Sequence, residues 1–546
     1  MNQAVPSVLE TGPADLQPAR GGGRGTPRRR APVGVWLPAT IVSVLVSVPL
    51  VYLVVRVGDG GAAVLGEVLR DRRTWDQLTR TVLLGTTVTA ASILLAVPAA
   101  WLTTRTDLPG RRTLGVLLAL PLVIPSYVGA FALLGAVAPG GLLESALEAV
   151  GLDVRLPRPQ GFWGAFLSLT LFTYPYVLLT ARGALKGMGT APEEAARTLG
   201  HGPWSVFWHV TVPRLRPAIG AGGLLVMLYV ASDFGAVSLM RYSTFTRAIY
   251  IQYQNAFDRT PAAVLSLLLV VLTGLVVAGE WWFSRDRGGQ FRSSTGRPAV
   301  VRLGRWRWLA AGVCWAVVAV ALVMPVVVSG WWLVRGISSG QDLGFGWSAA
   351  LHSVEAGALG AVAAVVAALP VALWAVRGRS RLGLLADRVA HVGFALPGIV
   401  VALSLVFFGV RVAEPIYQTL FLLVGAYVVL FLPQALGALR SSLQQISPDV
   451  VSAARTLGAT RWQAFRRVVF PLTRQGAVAG GALVFLTVVK ELPATLLLAP
   501  IGFDTLATRV WQATNGAFYA KAAVPALGLI LLGSLPLAVL VSRDRD

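Results

Sequence analysis

The sequence predicts an all-α integral membrane protein with about twelve transmembrane helices in two tandem six-helix repeats. Three observations carry this. The 546 residues are 55% hydrophobic and 13% charged, with mean hydropathy +0.68, against about 25% charged in a typical soluble domain. Apolar runs long enough for the roughly 20 residues of a bilayer crossing recur along the chain. A shift of 258 residues lays much of the second half on the first.

The same composition excludes other classes. The net charge is +22, from 47 Lys+Arg against 25 Asp+Glu. A nucleic-acid binder exposes its basic residues on a folded polar surface, whereas here they fall between apolar runs. Cys314 stands alone, which excludes an intrachain disulfide or a cysteine metal site. His201, His209, His352 and His391 show no ligand spacing, and no phosphate-binding G-x-x-x-x-G-K-[ST] loop is present.

In chain order, residues 1–33 are rich in Gly, Pro and Arg and predict a disordered basic tail on the cytoplasmic side. The run at 34–56 exceeds the 7–15 residues of a cleavable signal core, so it predicts a retained helix. Further spans are expected near 81–102, 114–137, 163–181, 218–240 and 261–283, completing a first repeat at 34–284. A cytoplasmic linker follows at 285–307. The second repeat, 308–546, has its spans near 308–334, 352–376, 388–410, 417–438, 476–498 and 522–542. Pro121, Pro125 and Pro397 lie inside these runs, where neighbouring helices can satisfy the freed backbone groups. With both termini placed inside, roughly two thirds of the Lys and Arg fall on the inner side, as the positive-inside rule requires.

At the 258-residue shift, Ala195-Ala196-Arg197-Thr198-Leu199-Gly200 meets Ala453-Ala454-Arg455-Thr456-Leu457-Gly458. Trp204 meets Trp462, Phe207 meets Phe465, Pro213 meets Pro471 and Asp233 meets Glu491. Two copies that start on the same side are related by an axis along the membrane normal. The best-matched stretches, 190–213 and 447–471, lie outside the spans, and each predicts two short helices. In the first, Thr190 and Glu193 form a capping box and Gly200 ends the helix in left-handed conformation. A second helix begins at Gly202-Pro203 and stops at Pro213. In the second copy Ser447-Pro448 opens the first helix, Gly458 closes it, and Thr460 with Gln463 forms a capping box. Surface-lying helices would explain one such loop; two at the same place favour docking elements for a two-fold related partner.

Glu194-Ala195-Ala196, Gly200 and Val212-Pro213 resemble the EAA loop of permease subunits of ABC importers. The second copy keeps Ala453-Ala454, Gly458 and Phe470-Pro471 but has Ser452 in place of the glutamate. The fused two-copy layout resembles ferric iron permeases most closely, with thiamine and polyamine relatives also similar. The resemblance implies a type I ABC importer permease fold in the cytoplasmic membrane and no enzymatic activity in this chain. It implies two ATPase subunits, which hold ATP-Mg, and an extracytoplasmic solute-binding protein. It implies that Glu193, Glu194, Ala195, Ala196, Gly200 and Pro213 form one ATPase-coupling loop, and Ala453, Ala454, Gly458 and Pro471 the other.

Within the spans, Asp233, Lys490 and Glu491 are costly to bury, so they mark either a translocation pathway or a structural ion pair. Tyr174 is a further pathway candidate, as are Tyr127 and Tyr176, although aromatic packing explains them equally well. Carboxylates suit a hard cation such as Fe³⁺, and no firmly bound metal is expected. A two-half secondary transporter would share the repeat axis, but would not need paired cytoplasmic helix–glycine–helix loops.

Overall fold

In the computed structural model the described residues are 33–153, 156–189, 191–255, 258–285, 300–344, 346–377, 381–393 and 396–543. The tail, most of the expected linker and the expected cap Thr190 lie outside them. The described chain is helical, with a single isolated bridge between Thr106 and Val301. Among the described residues nine helices are long and apolar enough to cross a membrane. A further pair, Arg111–Val123 and Ser126–Ala136, is apolar enough to make a tenth if its two helices, bent by 94°, count as one span. Gly398–Arg411 and Tyr519–Ser534 are shorter apolar helices at two further expected places.

The departures from twelve straight helices have local causes. The run at 114–137 breaks because Pro125 disfavours helical backbone at Ile124, whose ψ is 123°. Pro125 then caps Ser126–Ala136. Pro397 plays the same part ahead of Gly398–Arg411, with φ and ψ of −61° and 139° against −61° and 144° at Pro125. The expected span 388–410 is therefore two helices, Arg381–Val392 and Gly398–Arg411. The run at 218–240 stops at Ser232 and restarts as Gly235–Leu239. That at 476–498 stops at Val489 and restarts at Pro493–Leu498. Pro125 and Pro397 stand 272 residues apart, so 258 is not the shift for the whole repeat. The difference arises after the bend, where the first half adds the helix Leu142–Ala149 and the second has only the short turn Glu414–Ile416.

Within each half, small residues let the long helices approach closely. Ala96, Ala99 and Ala100 of Arg72–Arg105 are buried with Ala165, Ala181 and Val177 of Phe162–Gly187. The opening helix Val33–Asp59 leaves its own bundle. It packs on Trp347–Arg377 and Gly398–Arg411, burying Ala39 and Val46 among second-half residues. Met324–Ser338 in turn lies between Tyr519–Arg543 and Ser126–Ala136. There Trp332 donates its indole N–H to the Gly135 carbonyl at 2.9 Å. These exchanges knit the two halves into one body with its interface at the four helix breaks.

Candidate functional site

Two places stand out: the paired loops at one end and a cavity between the halves.

In the first loop the helix Ala191–Thr198 ends at Gly200, whose φ of +87° places it in the left-handed region where glycine carries no Cβ penalty. Gly200 N–H donates to the Arg197 carbonyl at 3.0 Å, and His201 N–H to Ala196 at 3.1 Å, satisfying the helix end. The second loop repeats this at Gly458, φ +88°, with Gly458 donating to Arg455 and Ala459 to Ala454, both at 3.1 Å. Its starts are also as the sequence indicates. Ser447 caps Pro448–Thr456, and Thr460 and Gln463 form a reciprocal capping box over Arg461–Ala464.

One expectation fails. The second helix of the loop does not stop at Pro213; it runs through a π-turn, Phe207–Thr211, into Val212–Ser232. Pro471 likewise follows the π-turn Phe465–Val469. A proline lacks the N–H that a regular helix would pair four residues back. The ladder shifts instead to a five-residue bond, Val212 N–H to Phe207 and Phe470 N–H to Phe465. Each loop is thereby continuous with a membrane-spanning helix, so a push on the loop is a push on the span.

Glu193 points inward and is only 4% exposed. Its carboxylate accepts from the Thr211 hydroxyl at 3.2 Å and lies 4.0 Å from the Arg105 guanidinium. Arg105, also buried, donates to the carbonyls of Leu185 and Met188 at 3.0 and 2.9 Å. Glu194, Ala195 and Gly200 are exposed, as are Ala453 and Gly458. Leu199 and Leu457 stand 80% and 88% exposed at matched positions, beside Trp204 and Trp462, each 67% exposed. The paired tryptophans were marked by the repeat, but Leu199 and Leu457 as exposed knobs, and Arg105 as the brace of Glu193, were not singled out from sequence. The identity of Leu199 with Leu457 in a polar loop was the available signal.

The cavity, about 300 Å³, is lined from both halves, by Ser126, Tyr127, Tyr229 and Asp233 on one side and Lys490 and Glu491 on the other. Asp233 and Glu491 follow the ends of matched spans, and each carboxylate caps the short helix beyond the break. Asp233 accepts from the N–H groups of Ala236 and Val237 at 2.9 and 3.3 Å, and from the Ser126 hydroxyl. Glu491 accepts from Ala494 N–H at 3.2 Å. The restarted helix needs these acceptors because its first N–H groups have no partner within the helix. Thr246 and Thr495 donate to the carbonyls of Asp233 and Glu491 at 2.6 and 2.8 Å, fixing each break from the following segment.

Lys490 does not pair with Glu491. Its ammonium reaches across the interface to the Leu122 carbonyl at 3.1 Å, while Tyr127 returns a hydrogen bond to the Lys490 carbonyl at 3.3 Å. Tyr176 lines the cavity too. Tyr174 does not. It is fully buried and donates to the Leu118 carbonyl at 2.8 Å, which is a packing role. Among the described residues no three His, Cys, Asp or Glu side chains gather as a metal cage. The arrangement offers a small polar chamber at the seam of two pseudo-symmetric halves, with each half continuous at its other end with an exposed helical loop.

That combination fits a transport permease, and the comparisons show the family. The chain belongs to the family described as binding-protein-dependent transport system inner membrane component, which it matches twice, over residues 89–285 and 360–542. It is 34% identical over 519 residues to an Fe(3+)-transport system permease protein of Haemophilus influenzae, covering 94% of this chain and 98% of that one. It is also 34% identical over 261 residues to a molybdenum transport system permease protein of Mycobacterium bovis, covering 45% of this chain and 93% of that one. A chloroplastic sulfate permease of Chlamydomonas reinhardtii is 28% identical over 280 residues, covering 50% of this chain and 74% of its own. The chain is therefore a membrane permease of the ABC importer type in fused two-copy form.

Proposed function

We propose that this permease carries ferric iron across the cytoplasmic membrane, with both termini on the cytoplasmic side. A solute-binding protein delivers the cargo to the face opposite the loops. Two ATPase subunits seat on the loops 190–213 and 447–471, with Leu199, Trp204, Leu457 and Trp462 as the apolar contacts and ATP-Mg held by the partners. The observation that carries the cargo assignment is the near full-length match to an Fe(3+) permease. The two carboxylates on the interhalf cavity support it, because oxygen ligands suit a hard cation. A permease needs weak, transient contacts, and two capping carboxylates in a 300 Å³ chamber supply no more than that.

In mechanism, ATP-driven approach of the partner subunits moves both loops together, and the continuous helices transmit the motion to the breaks at Asp233 and Glu491. The cross-interface bonds of Lys490 and Tyr127, beside the cavity, are among those that separation of the halves must break. The test is reconstitution of the chain with its ATPase and binding protein in vesicles, following radiolabelled ferric iron, molybdate and sulfate. ATP-dependent uptake of iron alone is expected. Uptake of an oxyanion instead would overturn the cargo, and uptake driven by an ion gradient without the ATPase would overturn the coupling.

A further inference from the structure

The flank of Val33–Asp59 borders an apolar groove of about 1590 Å³. Val44 and Val51 line one wall, and Leu385, Val389 and Phe408 the other. The hydroxyls of Thr40, Ser43 and Ser47 on the same helix are taken up by its own carbonyls at 2.8 Å each, which leaves the aromatic polar edges of Tyr52, Trp36 and Trp374 as the other uncharged polar groups on a largely hydrocarbon wall. Trp36 and Trp374, near the start of one helix and the end of the other, also line it, as tryptophans do where a span meets the headgroups.

Among the described residues one charged side chain lines this groove, Arg461, the first residue of the second loop's second helix. It is exposed and forms no ion pair among the described residues. The first loop has Pro203 at the matched position, so the cation belongs to one half only.

We propose that the groove is a phospholipid site, with acyl chains along Val33–Asp59 and an anionic headgroup on Arg461. Largely hydrocarbon walls, with the serine and threonine hydroxyls satisfied, favour acyl chains over a polar occupant. A lone guanidinium at the membrane surface favours an anionic headgroup over a zwitterionic one, each such cation contributing about 1 kcal/mol. The chain's own residues 1–32 are a poor occupant, because that segment is Arg-rich and would set cations against Arg461. The lipid would sit beside the second loop and have no counterpart at the first. The inference rests only on the helices spanning a membrane, so the identity of the cargo does not bear on it.

The test uses the full chain, purified and stripped of lipid, then supplied with phosphatidylglycerol or phosphatidylcholine of identical acyl chains, with retained lipid read by native mass spectrometry. The wild type is expected to hold phosphatidylglycerol about fivefold more tightly. Arg461→Gln should level the two, Arg461→Lys should keep the preference, and Ser47→Trp should reduce retention of both. Equal retention by the wild type, or an unchanged preference in Arg461→Gln, overturns the proposal. So does a rise in retained lipid on deletion of residues 1–32, which would make the tail the occupant.

Discussion

The two loops reach the same shape by different chemistry. Both turn at a left-handed glycine and both enter their span through a π-turn ahead of a proline. In the first, the helix is anchored by a buried carboxylate, Glu193, braced by Arg105 and Thr211. In the second, Val451 stands at the matched place and packs half-buried on an apolar cluster, while the following helix is held by the Thr460–Gln463 capping box. A similar exchange occurs deeper in. Arg182 donates to the backbone carbonyl of Gly115, whereas its match Arg440 pairs with the carboxylate of Asp387 at 3.0 Å. The backbone devices are shared, and the side chains that secure them are not. On the proposed docking, geometry is the property that a two-fold related partner requires, and the anchoring is free to differ.

The harshest test of that equality is at the glycines. Gly200→Pro and Gly458→Pro each force φ to about −65°, against the +87° and +88° observed, and remove the N–H that closes the helix. Each is expected to abolish ATP-driven uptake while leaving the protein inserted and the ATPase active, read by uptake and phosphate release on the same vesicles. Loss in one variant only would show that a single loop carries the coupling. Normal uptake in both would end the docking assignment.

Next in size is the cavity, where the halves are again matched but unequal. Asp233 accepts three hydrogen bonds and Glu491 one. Asp233→Asn with Glu491→Gln keeps acceptor oxygens for the helix caps and removes both charges. If the pair lines the route of a cation, uptake should fall by tenfold or more, equivalent to about 1.4 kcal/mol in the barrier. Unchanged uptake in the double variant would leave the carboxylates as caps alone.

The spans, the repeat and the two loops were legible in the sequence because hydropathy and paired Trp, Pro and Gly report them directly. The breaks were not, because an apolar run reads the same whether straight or bent. Pro125, Pro397 and Pro493 were the cues, and a proline tolerated within a helix looks identical in sequence to one that ends it. The continuation past Pro213 is the converse case, where a π-turn absorbed a proline that reads as a stop. Asp233 and Glu491 could be placed in spans, but their meeting at one cavity depends on packing between halves. Tyr174 shows the limit from the other side: its hydroxyl meets a carbonyl 56 residues away, which no local pattern signals.

The two anchors differ in how much they should matter. Arg105→Met leaves Glu193 buried without its cation and frees the Leu185 and Met188 carbonyls, so a loss of about 3–5 kcal/mol is expected. Adding Glu193→Val, which copies the second half's Val451, should recover part of it, since no unpaired charge then remains. Thermal unfolding in detergent of the two single variants and the double gives the coupling. Strict additivity would mean that Arg105 acts through the carbonyls alone.

The smallest effect should come from Asp387. The Arg440 side chain is 41% exposed but the Asp387 side chain it reaches at 3.0 Å is only 11% exposed, so solvent screens the attraction from the arginine side alone and about 1 kcal/mol is at stake. Asp387→Asn keeps an acceptor for Arg440, which is all that Arg182 finds at Gly115 in the other half. A melting temperature within a few degrees of the wild type is therefore expected, about what 1 kcal/mol does to a chain of this size. The difference should narrow further in high salt, because exposed pairs weaken with ionic strength. A loss of several kcal/mol, insensitive to salt, would instead mean that the burial of the Asp387 carboxylate outweighs the exposure of its partner. The second half would then be secured by charge after all, as the first half is at Glu193.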